Sequence, residues 1–176
     1  MTAPQRLILI TGATGAIGGA LARHYARPGH HLVLHGRRQD TLAEIGQRCR
    51  DQGAEVSLAS GPLEDNDARQ AWLAGLSRTP DIVIMCAGIN TGVVDRRDGE
   101  SLQAGRQLME INLRVPMEMA RQLAPAMQRR GRGQLVFISS LAAWHGLPVT
   151  PSYSASKAGI KAYAEALRGG LASDGV

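Results

Sequence analysis

At 176 residues, 44% hydrophobic and only 3% aromatic, the chain has the length of one domain and must fill its core with aliphatic side chains. Its net charge of +5 raises nucleic acid as a partner, but the basic residues are dispersed. The clusters Arg37-Arg38, Arg96-Arg97 and Arg129-Arg130-Gly131-Arg132 lack the interleaved aromatics of a nucleic-acid surface, which argues against one.

Leu7 to Ile10 is a continuous apolar run, the pattern of a strand buried on both faces. It runs into Thr11-Gly12-Ala13-Thr14-Gly15-Ala16-Ile17-Gly18 and a helical pattern from about Ile17 to Arg27. Strand, glycine-rich turn and helix together predict a dinucleotide site: glycines admit the phosphates to the backbone, and the helix N-terminus faces the anion. The expected contacts are Gly12, Thr14, Gly15, Ile17 and Gly18.

A second strand, about His31 to His35, ends in Gly36-Arg37-Arg38. An acidic residue here would accept from the ribose 2′-OH of NAD, whereas arginine suits the 2′-phosphate of NADP. With Arg37 and Arg38 and no acid, NADP(H) is expected in preference to NAD. A helix follows from Arg38 to Gln52, a third strand over Glu55 to Ala59, and a helix after Asp65 to about Leu76. The fourth strand, Asp81 to Cys86, closes in Ala87-Gly88, small residues that let the backbone run close to a cofactor ribose.

Thr91 to Glu100 reads as a polar loop. A long helical pattern from Ser101 to Arg129 is expected to restart or kink at Pro116 or Pro125. The fifth strand covers Gln134 to Ser139, Pro148 to Ser152 makes a turn, and the last helix runs to about Ser173. This alternation predicts an α/β fold, a doubly wound parallel sheet with ligands at the carboxyl ends of its strands.

Tyr153 and Lys157 stand four apart at the start of that last helix and share a face. A phenol titrates near ~10, and a proton-transfer group works best near ~7. An ammonium beside the phenol favours the phenolate and needs to supply about 3 to 4 kcal/mol. The chain has only two lysines, Lys157 and Lys161, against eighteen arginines, so a lysine at this spacing stands out. Ser140, thirteen positions before Tyr153, follows an apolar strand and could bring a hydroxyl to the same point. Trp144 and His145 lie between them and are candidates for a substrate pocket or for the surface.

With these residues in place the chain resembles the short-chain dehydrogenase/reductase family along nearly its full length. Thr11-Gly12 through Gly15 to Gly18 looks like the family's T-G-x-x-x-G-x-G turn, and Asn112, Ser140, Tyr153 and Lys157 match its tetrad in order and spacing. The resemblance implies carbonyl/secondary-alcohol chemistry on a small molecule. Tyr153 would be the acid/base, Ser140 the oxyanion donor, Lys157 the partner of Tyr153 and of the nicotinamide ribose, and Asn112 the holder of a relay water. It also implies a homodimer or homotetramer built on the long helices.

Three departures accompany the match. Met85-Cys86-Ala87-Gly88 replaces the family's N-N-A-G, and no adenine-contacting Asp is evident in Ser60-Gly61-Pro62-Leu63, although Asp65 is near. The family continues into further strands beyond the equivalent of Val176, so the single domain 1–176 is expected to be incomplete at its C-terminal end. A non-catalytic dinucleotide sensor or truncated relic is the alternative expectation. Cys49 and Cys86 form neither a disulfide framework nor a metal spacing, and no apolar run nears the ~18 residues of a membrane span. The first residues lack a signal-peptide layout, so the cytoplasm is expected and a metal or membrane is not.

Overall fold

Leu7, Ile8, Leu9 and Ile10 are at most 1% exposed, and alternate residues of a strand point to opposite faces. Leu7 and Leu9 join one core cluster while Ile8 and Ile10 join another, so the run is apolar throughout because both sides are covered. The computed structural model describes residues 6–90 and 100–176. All of the polar loop expected over Thr91 to Glu100 except Glu100 itself, and with it Arg96-Arg97, lies outside the described residues.

The strands are β1 (Arg6–Thr11), β2 (His30–His35), β3 (Glu55–Ala59), β4 (Ile82–Met85) and β5 (Gln134–Phe137). They pair in parallel in the order β3-β2-β1-β4-β5. The chain therefore leaves β1 toward one side through β2 and β3 and returns to the other through β4 and β5. The crevice at that reversal lies at the carboxyl ends of β1 and β4.

Helices α1 (Ala16–Tyr25) and α2 (Gln39–Asp51) cover the Ile8/Ile10 face through Ala22, Leu42 and Cys49. Helices α3 (Asn66–Ala74) and α5 (Val115–Arg130) cover the other through Leu73, Met119, Leu123 and Met127. Asp65 caps α3, its carboxylate accepting from the Ala68 N–H at 3.0 Å, and the Ser101 hydroxyl caps α4 (Leu102–Met109) at 3.2 Å.

The long helical pattern is three pieces: α4, a π-helical segment over Glu110–Arg114, and α5. The interruption falls just before Pro116, in the first turn of α5, while α5 carries Pro125 without a break. Pro116 has no N–H to continue the regular ladder, and a one-residue slip in bonding absorbs the loss. Helix α6 spans Pro151–Leu171 and opens one residue before the expected end of the Pro148–Ser152 turn, with Pro151 in its first turn. Among the described residues no helix is long and apolar enough to cross a membrane.

Candidate active site

Gly12 turns the chain at the end of β1 with φ +68°, a left-handed conformation that favours glycine. A Cβ there would also stand 2.7 Å from the Ala87 Cα, and one on Gly18 would stand 2.2 Å from the Gly12 carbonyl oxygen. The turn thus presses directly against the end of β4 and the first turn of α1. The Thr11 hydroxyl fixes that contact by accepting from the backbone N–H groups of Cys86 and Ala87, both at 3.1 Å.

The result is a cleft of about 730 Å³ at the reversal of strand order. Gly12, Thr14, Gly15, Ile17, Gly18, Arg37, Arg38, Ala87 and Gly88, every cofactor contact expected from the turn and strand ends, line it. The N-terminus of α1 opens into the same space with Gly15 at its cap, leaving first-turn N–H groups without helical partners. The glycine cradle, the free N–H groups and the two arginines fit the phosphates of a dinucleotide.

The two arginines differ in their present partners. Arg37 is exposed, whereas the Arg38 guanidinium donates to the Thr14 carbonyl and ties the end of β2 to the glycine turn. Asp65 is engaged as a helix cap, and Leu63 and Glu64 line the cleft instead. His35 also lines it, a residue that the sequence presents only as the end of a strand. Its ring packs on Trp72 at 5.0 Å between centroids, and burial pushes its pKa down to about 4.

At the far side of the cleft, α6 brings up Tyr153 and Lys157. Lys157 is buried, its Nζ lies 5.8 Å from the Tyr153 ring centroid, and it donates to the Ile138 carbonyl at 2.8 Å. Burial pushes the Lys157 ammonium below the usual lysine range, with the nearby Cys86 sulfur opposing the change. The Cys86 thiol is itself pushed up by burial, which Lys157 and the Gly18 N–H only partly offset. The Ser139 hydroxyl donates to the Lys157 carbonyl at 3.0 Å, docking the end of β5 on α6.

Ser140 follows, and its Oγ accepts from the Ala142 N–H at 3.2 Å within a 3₁₀ turn over Leu141–Ala143. That bond orients the oxygen and leaves its O–H to donate. Asn112, in the π segment, is buried and fully engaged: Oδ1 accepts from the Ile89 N–H at 2.8 Å, and Nδ2 donates to the Ile89 carbonyl at 2.8 Å and to the Ser156 hydroxyl at 3.3 Å. A Cβ on Gly88 would lie 3.2 Å from Asn112 Oδ1 and 3.5 Å from Lys157 Nζ, so the cleft and the tetrad meet at Gly88.

A sequence profile of the short chain dehydrogenases matches residues 6–176. The chain belongs to the short-chain dehydrogenase/reductase family. It is 34% identical over 170 residues to an uncharacterised oxidoreductase of Mycobacterium tuberculosis, covering 93% of this chain and 66% of that protein. It is likewise 34% identical to 11-beta-hydroxysteroid dehydrogenase A of Sesamum indicum, covering 93% of this chain and 47% of that protein. The short-chain dehydrogenase of Sphingobium yanoikuyae in complex with NADPH superposes with a TM-score of 0.86 at 27% identity, over 96% of this chain and 67% of that one.

Solved structures of this fold hold either NADPH or NAD+. The chain spans about half to two thirds of the length of these curated relatives. Membership accounts for the doubly wound sheet.

Ser139, Ser156 and the Ile138 carbonyl were not singled out by sequence reasoning. Thr11 was named as the first residue of the glycine turn, but its role as acceptor for Cys86 and Ala87 was not.

Proposed function

We propose that this chain is an NADP(H)-dependent oxidoreductase that interconverts a carbonyl and a secondary alcohol on a small molecule, with NADP(H) preferred to NAD(H). The observation that carries the reading is the buried Lys157 ammonium 5.8 Å from the Tyr153 ring centroid, where α6 meets the end of β5 that bears Ser140. In reduction the Tyr153 hydroxyl gives its proton to the carbonyl oxygen, and in oxidation it takes it back. Ser140 donates to the same oxygen as charge develops there. Lys157 supplies the adjacent positive charge. Asn112 holds Ile89, and through it Gly88, against Lys157; a relay water is a further role that the family resemblance adds. The cofactor, when bound, delivers or accepts the hydride at the carbonyl carbon.

Arg37 and Arg38 support the NADP(H) preference, because both line the cleft and the chain places arginines, not an acidic residue, directly after β2. Residues 1–176 serve as one dinucleotide-binding and catalytic domain in this reading. The protein is proposed to pair or tetramerise through its long helices and to work in the cytoplasm, where the unpaired thiols of Cys49 and Cys86 stay reduced. Fluorescence titration with NADPH and, separately, NADH tests the reading. Tighter binding of NADPH is expected. A folded protein that binds neither nucleotide would refute it.

A further inference from the structure

Among the described residues two lysine or arginine side chains are buried, Lys157 and Arg69, the latter at 2% exposure. Lys157 belongs to the site already described; Arg69, in α3, does not. Taking a guanidinium out of water is unfavourable unless acceptors meet its donors. Its Nη1 donates to the Leu63 carbonyl, and its Nη2 donates to Asn66 Oδ1 at 2.9 Å and to Glu118 Oε2. Glu118 stands on α5, and its other oxygen accepts from Arg114 Nη1 at 2.5 Å. Arg114 donates in turn through Nε to Glu110 Oε2 at 2.5 Å and through Nη2 to Glu110 Oε1. Glu110 and Arg114 are the two ends of the π segment.

Both ends of this chain of bonds reach the cleft. Leu63 and Glu64 line it beyond the end of β3, and Ile111, inside the π segment, lines it too. The next residue, Asn112, holds Ile89, another lining residue. In the cofactor reading above, Arg37 and Arg38 meet the 2′-phosphate just after β2. The adenosine half therefore lies on the side of the glycine turn that leads to β3, the neighbour of β2 in the sheet. A guanidinium is a planar fork with donors in fixed directions, so one that bonds two elements at once sets their separation.

Resting on that reading, we infer that Arg69 is a positioning residue for the cofactor: through the Leu63 carbonyl and Glu118 it holds the Leu63–Glu64 wall in register with Ile111 and so shapes the seat of the adenosine half. Arg69 is not itself a lining residue, and its side chain is only 1% exposed, so it acts through these neighbours.

The test is the Kd of NADPH, by fluorescence, and of adenosine 2′,5′-bisphosphate, by calorimetry. Both are measured for the purified protein, for Arg69→Met, Arg69→Lys and Glu118→Gln, and for the double variant Arg69→Met/Glu118→Gln. Circular dichroism and the unfolding midpoint are recorded for each, and binding is measured well below the lowest midpoint. Arg69→Met is expected to weaken both ligands by the same factor, about tenfold, because a displaced wall no longer fits the bound half. Arg69→Lys keeps the charge but not the fork and recovers part of that loss, while Glu118→Gln alone costs about threefold. The double variant binds as Arg69→Met does, because both residues act through one link.

A lower unfolding midpoint with unchanged Kd for both ligands in every folded variant shows a merely structural role and overturns the inference. So does an additive loss in the double variant, or a loss for NADPH that adenosine 2′,5′-bisphosphate does not share. If Arg69→Met does not fold, Arg69→Lys and Glu118→Gln decide on the same terms. These outcomes leave the cofactor reading standing; a wild-type protein that binds neither ligand removes both.

Discussion

Acidification isolates one residue of the cleft. His35 is 5% exposed, its ring rests on Trp72, and its Nδ1 has no hydrogen-bond partner among the described residues. Burial pushes its pKa from 6.5 to about 4, against smaller upward contributions from the Gly61 backbone and Glu64. In the unfolded chain a histidine titrates near ~6.5. Between pH 6.5 and about 4 the unfolded state takes up the proton and the folded state does not.

Stability is therefore full above that window, falls as pH drops through it and levels off below it. At pH 5 the loss from this one residue is about 2 kcal/mol, rising to about 3 kcal/mol once both states are protonated. Urea unfolding at pH 7.5 and pH 5, followed by circular dichroism, measures it in the wild type and in His35→Gln. Comparing each protein with itself cancels the cost of replacing the ring. The wild type should lose about 2 kcal/mol more than the variant between the two pH values. Equal losses would show that the buried ring is not what titrates.

Thr11→Val keeps the shape of the side chain but strips the N–H groups of Cys86 and Ala87 of their acceptor; a loss of about 2 to 4 kcal/mol in urea unfolding is expected. Tyr153→Phe should lower kcat by roughly 10² to 10⁴ in steady-state assays while NADPH titration gives an unchanged Kd, since only the proton-transfer group is gone. Arg37→Ala should weaken NADPH binding by about tenfold and leave NADH binding nearly unaltered, the signature of a 2′-phosphate contact. Asp65→Ala removes the cap of α3 and should cost about 1 kcal/mol in thermal or urea unfolding, with nucleotide affinity retained.

The sheet was legible because local pattern and tertiary environment agree. The central strands β1, β2 and β4 carry apolar runs that two covered faces require, and the turns after them at the cleft are marked by glycine or arginine. The π segment was not legible, because the apolar spacing from Ser101 to Arg129 fits a regular helix as well as one with a single slip. Pro116 signals an interruption without saying which bonding pattern absorbs it. The role of Thr11 was missed for a different reason: the groups it holds lie 75 and 76 positions away. His35 was read only as the end of β2, since its unusual environment is made by Trp72 and the segment after β3.

The same logic explains why the departures at Met85-Cys86 and Pro62 leave the cleft formed. The path of the β4 turn is held by a hydroxyl bonded to backbone N–H groups, which any residue but proline at Cys86 or Ala87 supplies, and α3 begins from the Asp65 cap whatever stands at Pro62. Lys157 shows where the arrangement has a cost. Among the described residues its one hydrogen bond goes to the Ile138 carbonyl and it makes no ion pair; the Cys86 thiol beside it is pushed toward its neutral form. Among the described residues an ammonium with three donors, one of them used, is thus buried without a counter-charge, and burial lowers its pKa. Such a group is poorly suited to stabilising the fold. Its unused donors are suited to hydroxyl acceptors brought to the meeting point of cleft and tetrad, which is the property expected of a working site rather than of packing.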